Sequence, residues 1–428
     1  MTGSSGGAIE RLNAECFCLP LADSALTAAV AARLPAEDVS EASSRLAELS
    51  AEHPLFLPEQ TKADLFERVR AVGELLLARS DLDRDRLCAA GVCNSFDFHL
   101  TTSGPKLIEI NTNAGGAFLQ PLLLEAIGDG HTAPWFEPEQ QLLDAFATLA
   151  PGRVLSRLAI VDADPASQAL YLDMRLAAVA LERRGIAVEI MDVASLRREN
   201  GRLFGPNSAI DMVYNRLTDF GLDDPAHALL REAWLANEVV LAPNPDVYRT
   251  FAEKQLLIEL SDPRRLAELT QRAHIDSERI LDTLLPCELL GQGNAERLWT
   301  ERRHYVFKPT RGYGSRGVYR GDKVSRRKWE TLLDEGYLAQ RFAAPSERSL
   351  KVSAGVTPFK VDIRVWTHGI EPIFVAARLY SGQVMGFRNE GAGFAPILWV
   401  DPSLTAEACR DRAGFRALCT AHVAGDLP

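Results

Sequence analysis

The sequence predicts an α/β protein, with a small parallel-sheet domain lying between a helix-rich N-terminal part and a strand-rich C-terminal part. Residues 158–162 and 186–190 are apolar runs on either side of an amphipathic helical stretch, which is the pattern of a β-α-β unit. Residues 96–111 form two apolar-rich runs around a polar turn, which is typical of a β-hairpin. Residues 360–368 alternate charged and apolar side chains, as a half-buried strand does.

The composition is typical of an ordinary globular protein and argues against nucleic acid and membrane as partners. It has 428 residues, of which 46% are apolar and 25% charged, enough for about two to four domains. The net charge of -11 argues against a nucleic-acid-binding protein. No apolar run is long enough to span a membrane, and the N-terminus lacks a signal-peptide pattern. The seven cysteines show neither zinc-site nor disulfide-framework spacing, which favours reduced thiols and a cytoplasmic location.

The first ninety residues read as scaffold. Residues 24–34, 39–49 and 62–78 place apolar side chains at helical spacing, and prolines punctuate them. We therefore predict helices here, without a site of their own.

The predicted hairpin carries candidate metal ligands. Glu109 and Asn111 are two residues apart on its second strand, so they share a face, and Asp97 lies on the partner strand. Carboxylate and amide oxygens suit Mg²⁺ that is held largely by ligand phosphates. The alternative is a strand with a polar exposed face. That alternative is less favoured because Asn113 leads directly into Ala-Gly-Gly, a backbone able to approach a ligand. His99 is expected to be structural.

The central α/β domain offers a second candidate site. Further strands are predicted at residues 210–214 and 239–241, and ligands in parallel sheets bind beyond the carboxyl ends of strands. Arg216 follows one such strand and could hold a substrate carboxylate through a bidentate contact. An arginine in a surface loop is an equally good interpretation.

A glycine-rich loop follows Lys308, which ends an apolar strand. Successive backbone N–H groups in such a loop form an anion-binding concavity, and the lysine and arginines add positive charge. The loop is not a Walker A motif, since no helix follows, and its strand context excludes a Rossmann fingerprint. It suits a flap over a polyphosphate, and the alternative is an ordinary hairpin turn. The residues of interest are Lys308, Arg311, Gly312, Gly314, Arg316 and Gly317.

The C-terminal strands add a dense polar set. The members are Asp362, Arg364, Arg378, Arg388 and Asn389. A salt-bridged strand face is the structural alternative. The number of arginines beside a second glycine-rich loop, residues 386–396, favours an anionic ligand.

These motifs together resemble the ATP-grasp ligases, such as glutathione synthetase and D-alanine–D-alanine ligase. The resemblance rests on residues 308–317, 337–342 and 362–366, with Arg378 and Asn389. Residues 158–245 are similar to the α/β domain that precedes the nucleotide lobes of that family. The hairpin with Asp97, Glu109 and Asn111 resembles its magnesium-binding element.

The order of the motifs differs from that of most relatives, in which the Glu-x-Asn strand comes last. Here it comes early, and no second copy follows Pro396. The resemblance therefore implies a circularly permuted ATP-grasp fold, a rearrangement tolerated where domain termini are close. The expected domains are the permuted part of the C-terminal lobe, the α/β domain, the nucleotide lobe with its flap, and the rest of the C-terminal lobe: residues 1–125, 151–247, 248–345 and 346–428.

The resemblance also implies a role for each matched residue. The expected nucleotide-binding residues are Lys254, Lys308, Gly312, Gly314, Ser315, Gly317, Leu338, Ala339 and Gln340. The expected magnesium ligands are Asp97, Glu109 and Asn111. The residues expected to face the transferred phosphate or the substrate are Arg364, Arg378, Asn389, Arg216 and Asn113.

The implied activity is ATP- and Mg²⁺-dependent joining of a small-molecule or peptide carboxylate to an amine through an acyl phosphate. One alternative is a phosphotransferase on the same fold. Another is a non-catalytic nucleotide-binding protein. Dimers are common in the family, so a homodimer is compatible with the resemblance.

Overall fold

The computed structural model describes residues 6–17, 19–127, 136–149, 155–310 and 316–400. Gly312, Gly314 and Ser315 of the predicted flap, and the last part of the predicted C-terminal lobe, lie outside the described residues. In the described part, no helix is long and apolar enough to cross a membrane.

The described residues form helices and strands in the following order. The helices are α1 (Gly6–Glu15), α2 (Asp23–Ala31), α3 (Val39–Leu49), α4 (Glu59–Arg79), α5 (Arg84–Ala90), α6 (Gln120–Ile127), α7 (Phe136–Ala147), α8 (Tyr171–Glu182), α9 (Ala228–Leu235), α10 (Pro245–Val247), α11 (Gln255–Glu259), α12 (Pro263–Ala273), α13 (Ser277–Thr283), α14 (Ala295–Glu301) and α15 (Arg326–Glu335). The strands are β1 (Leu55–Pro58), β2 (Asn94–Thr101), β3 (Gly104–Asn111), β4 (Arg157–Asp162), β5 (Ala187–Asp192), β6 (Arg197–Glu199), β7 (Arg202–Phe204), β8 (Met212–Asn215), β9 (Val240–Ala242), β10 (Cys287–Leu289), β11 (Tyr305–Pro309), β12 (Tyr319–Arg320), β13 (Tyr337–Arg341), β14 (Glu347–Val352), β15 (Gly355–His368), β16 (Glu371–Tyr380), β17 (Gly393–Ala395) and β18 (Ile397–Val400).

The largest sheet joins the early hairpin to the C-terminal strands. Its order is β17-β16-β15-β2-β3, with β14 also paired to β15, and every pairing is antiparallel. Asp97 lies opposite Arg364 on one side and Glu109 on the other, while Asp362 lies opposite Arg378. Directly opposed side chains share a face of a sheet, so this register gathers the charged residues of four strands on one surface.

Further contacts tie the N-terminal segment to the same C-terminal part. Strand β1 runs parallel to β18. The fully buried guanidinium of Arg348, on β14, donates to the backbone oxygens of Asn13, Cys16 and Pro54. The ends of the described chain therefore pack into one structural unit.

The predicted parallel sheet is confirmed. Strands β5-β4-β8-β9 lie side by side in that order, all parallel, and their apolar side chains are largely buried between helices. The connecting helix starts at Tyr171, after a 3₁₀ turn at Pro165–Ser167.

A smaller antiparallel sheet, β10-β13-β11-β12, carries Lys308. Phe307 and Trp329 bury one face of this sheet, with ring centroids 5.2 Å apart. Helix α15 covers that face. The hydroxyl of its N-cap residue, Ser325, accepts a hydrogen bond from the backbone N–H of Lys328.

Helical spacing of the sequence predicts one continuous helix over residues 248–260, through Lys254, but the structure interrupts it. A single π-turn spans Tyr248–Ala252, Glu253 is extended, and α11 begins at Gln255. Lys254 therefore lies at the start of a short helix rather than on the surface of a long one.

Candidate active site

An open cleft lies between the polar face of the large sheet and the small sheet. Three separate parts of the sequence line it. The lining residues are His99, Ile108, Glu109, Leu285, Val306, Lys308, Val318, Arg320, Gln340, Arg341, Phe342, Ala343, Asp362, Arg378, Tyr380, Gln383, Val384 and Met385.

One backbone oxygen connects the two sheets inside this cleft. The carbonyl of Ile108 accepts from Lys308 Nζ at 2.8 Å and from Gln340 Nε2 at 3.2 Å. Lys308 is 4% exposed and lies 200 positions from Ile108 in the sequence. Glu109, the residue after Ile108, lines the same cleft as Lys308.

A second lysine reaches this end of the cleft. Burial lowers the pKa of Lys254, the neighbouring Glu109 carboxylate raises it, and the Lys308 ammonium lowers it further. Two ammonium groups within electrostatic reach of each other, with one carboxylate beside them, suit a polyanion accompanied by a metal ion.

The arginines of the polar face are held by two aspartates. Arg364 forms a bidentate pair with Asp97, at 2.8 and 2.7 Å. Arg378 bridges Asp97 Oδ2 at 2.7 Å and Asp362 Oδ2 at 2.8 Å. Burial raises the pKa of Asp97, but the two guanidinium groups outweigh it and hold the value at about 2. The cluster of two arginines and two aspartates is therefore formally neutral.

The three predicted metal ligands fall in different environments. Glu109 lines the cleft. Asp97 is fully buried, and its oxygens accept from both arginines as well as from Asn111 Nδ2 at 3.0 Å. That bond leaves the amide oxygen of Asn111 available as a ligand, with Asp97 fixing its orientation.

The oxygen donors present fit magnesium. One carboxylate and one amide oxygen meet the requirement of an ion that keeps waters and phosphate oxygens as its other ligands. Among the described residues, no group of three or more His, Cys, Asp or Glu side chains could hold a metal. Of the three predicted ligands, Glu109 is among the residues that line the cleft, and Asp97 and Asn111 are not.

Two residues of the predicted adenine segment, Leu338 and Ala339, are not among the residues that line the cleft. Both are fully buried, and each is paired on both sides, with β11 and with β10. Gln340 and the residues after it, through Ala343, line the cleft instead.

Arg216 and Asn113 contact each other away from the lining of this cleft. Arg216 Nη1 donates to the backbone oxygen of Asn113 at 2.6 Å, and Asn113 Nδ2 donates to the oxygen of Leu217 at 2.9 Å. Arg216 is 7% exposed, and its Nε has no hydrogen-bond partner among the described residues. A buried guanidinium with an unused donor suits an anionic group.

The remaining predicted residues are dispersed. Asn389 is exposed and donates to Ser381 Oγ at 2.7 Å, outside the cleft lining. Gly317 has a φ of +71°, a conformation that glycine adopts at little cost. Arg311, Gly312, Gly314 and Ser315 lie in the undescribed stretch 311–315.

Sequence reasoning missed His99 as a lining residue. It lies two residues from Asp97 on β2, so alternation along the strand already placed both on one face. Its Nδ1 lies 2.7 Å from the oxygen of Ala343, and burial lowers its pKa to about 4.

Replacing His99 by glutamine is expected to reduce the acid sensitivity of folding. The folded protein keeps His99 neutral, whereas the unfolded chain protonates it, so its contribution is present above pH 6.5 and is lost as the pH falls towards 4. That pKa change corresponds to about 3 kcal/mol. Urea unfolding at pH 7 and pH 4.5 measures the difference, and equal losses of stability in both proteins would contradict it.

Comparisons with known proteins indicate which solved structures this fold resembles. No protein-family model and no curated protein match the chain. A glutathione synthetase-like effector, GSS30, from Globodera pallida in its apo form is similar in structure, with a TM-score of 0.54 and 12% identity over 82% of this chain and 90% of that one.

Two other solved structures are more distant. A putative gamma-glutamylcysteine synthetase from Methylobacillus flagellatus KT has a TM-score of 0.48 at 13% identity, over 88% of this chain and 97% of that one. The ATP-grasp ligase PsnB, complexed with precursor peptide PsnA2 and AMPPNP, has a TM-score of 0.29 at 11% identity, over 63% of this chain and 98% of that one. The likeness to the effector is the one that defines the fold, which is glutathione synthetase-like.

Proposed function

We propose that this protein is an ATP- and Mg²⁺-dependent ligase that joins a carboxylate to an amine through an acyl phosphate. The observation that carries the proposal is the contact of Lys308 Nζ with the oxygen of Ile108, next to Glu109. It puts a buried lysine from a strand–glycine-loop motif and a Glu-x-Asn strand into one cleft. A phosphate-binding lysine opposite a magnesium ligand is the arrangement that phosphoryl transfer requires.

The proposal includes a circularly permuted ATP-grasp fold. Strands β2 and β3 extend the antiparallel sheet of β15, β16 and β17, although some 250 residues separate the two groups in the sequence. The parallel pairing of β1 with β18 and the contacts of Arg348 support the same view. Residues 1–125 and 346–428 would then be one lobe, beside the α/β domain of residues 151–247 and the nucleotide lobe of residues 248–345.

Each part of the cleft has a proposed task. Lys254 and Lys308 bind phosphate oxygens, and the flap glycines cover them. Residues 340–343 face the base. Glu109 and Asn111 would hold Mg²⁺, which would neutralise phosphate charge.

The arginine cluster and the Arg216 region complete the proposed site. Arg378 lines the cleft and adds positive potential where charge develops on the transferred group, with Arg364 held beside it by Asp97. Asn389 is proposed to approach with its glycine-rich loop. Arg216, with Asn113, is proposed to hold a substrate carboxylate.

The proposed site would overcome the main chemical difficulty of joining a carboxylate to an amine. A carboxylate is a poor acyl donor because attack by an amine would have to expel oxide. Transfer of the γ-phosphoryl group to it creates a good leaving group, and that transfer depends on alignment and charge neutralisation more than on covalent catalysis. A flap that excludes water protects the acyl phosphate until the amine attacks.

The test is ATP turnover by the purified protein with Mg²⁺ against pools of amino acids and dipeptides, with products identified by mass. Phosphate release that requires one pool, accompanied by ADP and a new amide, is the expected result. It should vanish in Glu109→Gln and persist in Glu371→Gln, which changes an exposed glutamate on β16. A stable phosphorylated product would instead indicate a phosphotransferase. Nucleotide binding without turnover in any pool would favour a non-catalytic protein.

A further inference from the structure

The segment that follows the Glu-x-Asn strand, residues 113–118, is held by a buried carboxylate from another part of the fold. Asp173 lies on α8, the helix that connects β4 to β5, and is 1% exposed. Its Oδ2 accepts from the backbone N–H of Gly116 at 3.0 Å, and its Oδ1 accepts from that of Phe118 at 2.8 Å. Hydrogen bonds to an ionised acceptor are among the stronger ones in proteins, so α8 fixes the path of segment 113–118.

Arg216 packs against the same segment. A Cβ atom added at Gly115 would lie 2.7 Å from Arg216 Nη2, which is closer than such atoms approach each other in real structures. The oxygen of Asn113 accepts from Nη1, and the guanidinium carbon lies 5.5 Å from the centroid of the Tyr214 ring. The position of the guanidinium group therefore depends on the backbone of segment 113–118.

Asp173 also compensates the charge of Arg216 without pairing with it directly. Arg216 is buried and forms no direct ion pair with a carboxylate in the described part of the chain. Burial lowers the pKa of Arg216, but nearby groups, Asp173 among them, raise it above its ordinary value. The oxygens of Asp173 stay bound to backbone N–H groups, so its charge stabilises the buried guanidinium while an anionic ligand can still pair with Arg216.

We propose that Asp173 is a positioning residue for the substrate carboxylate. It holds segment 113–118 so that Arg216 keeps one orientation, and it supplies the negative charge that a buried guanidinium needs. The inference rests on the substrate site of the proposed function and adds to it a residue that does not touch the substrate. Residues that orient the ligands of metal sites contribute about 10–100-fold to affinity or activity, and the same scale is expected here.

Asp173→Asn tests the role of the carboxylate. Asparagine keeps the shape, but its amide nitrogen cannot accept, so the N–H of Gly116 or of Phe118 loses its acceptor and the negative charge is removed. With the amino acid or dipeptide that supports ATP turnover by the wild-type protein, the KM for that compound should rise about 10–100-fold. The affinity for AMPPNP with Mg²⁺, measured by calorimetric titration, should be unchanged, because neither Asp173 nor Arg216 lines the nucleotide cleft.

A double-mutant cycle shows whether Asp173 acts through Arg216. Arg216→Met alone should raise the same KM at least as much as Asp173→Asn does. Adding Asp173→Asn to Arg216→Met should raise it no further, since residues that act through one another are not additive. Multiplied effects in the double variant would contradict the positioning role.

Gly115→Ala disturbs the same contact and keeps Asp173. The added methyl group would lie 2.7 Å from Arg216 Nη2 and 2.3 Å from Leu170 Cδ1, so both side chains have to move and the KM should rise. The matched control is Gly291→Ala, because no atom lies within 4 Å of a Cβ added there, and it should keep the wild-type KM. If Asp173→Asn does not fold, Gly115→Ala decides whether segment 113–118 positions Arg216.

The outcomes separate this inference from the proposed function. A wild-type KM in folded Asp173→Asn protein, or in Gly115→Ala if the first variant does not fold, overturns the positioning role and leaves the ligase proposal standing. A loss of AMPPNP affinity that matches the rise in KM indicates a general structural role and overturns the inference as well. Absence of turnover by the wild-type protein with every pool of amino acids and dipeptides overturns both.

Discussion

Replacing Lys308 by methionine is expected to lower kcat/KM for ATP by about 10²–10³-fold, the usual cost of removing one preorganised donor to developing charge. Lys308 is buried, and its ammonium group is fixed by the oxygen of Ile108 at the charged end of the cleft. Methionine keeps most of the side-chain volume, so the loss should come from charge rather than packing. Steady-state phosphate release, with whichever pool of amino acids or dipeptides supports turnover by the wild-type protein, measures it.

The matched control is Lys351→Met, which removes an exposed lysine from β14 outside the cleft lining. This variant should retain wild-type turnover. If Lys308→Met turned over ATP at the wild-type rate while folding normally, the glycine-rich loop and its lysine would not be the phosphate site.

Replacing Asp97 by asparagine is expected to destabilise the protein by about 3–5 kcal/mol, the range for breaking a buried ion pair from one side. Asp97 is fully buried and compensates Arg364 and Arg378 together. Asparagine has the same shape but leaves two buried guanidinium groups with a single ionised aspartate, Asp362. Urea unfolding monitored by circular dichroism gives the change in free energy of unfolding.

Glu371→Gln is the control, because the ion pair of Glu371 with Arg70 is exposed and should contribute less than about 1 kcal/mol. A structural role for Asp97 and a role as a metal ligand predict different results for this variant. A residue that only ligates a metal would change the magnesium requirement and leave the stability of the metal-free protein intact. Unchanged stability of Asp97→Asn would therefore contradict the structural role and favour the metal-ligand assignment.

The helices and strands predicted most accurately were those indicated by a short, continuous stretch of sequence. The four parallel strands were predicted correctly because continuous apolar runs such as residues 158–162 are bounded by turns and a clear helix. The hairpin was predicted because a polar turn separates its two strands. The helix through Lys254 was predicted too long, since helical spacing alone did not reveal the extended Glu253.

Interactions between distant positions could not be predicted from local pattern. Arg364 lies 267 positions from Asp97, and Arg378 lies 281 positions away, so the ion-pair cluster that occupies Asp97 has no signal near that residue. The burial of Leu338 and Ala339 at the centre of β13 could not be predicted, because the sequence does not show that neighbours pair with this strand on both sides. The pairing of the hairpin with strand β15 was expected only from the resemblance to the ATP-grasp ligases.

Glu109 and Lys308 are proposed to form one magnesium–nucleotide site. Calorimetric titration of AMPPNP into wild-type and Glu109→Gln proteins, with and without Mg²⁺, tests it directly. We expect Mg²⁺ to strengthen binding to the wild-type protein by about 10–100-fold, the scale of metal-site effects, and we expect that gain to be lost in Glu109→Gln while metal-free binding is retained. An equal gain in both proteins, or no binding by either, would contradict the claim.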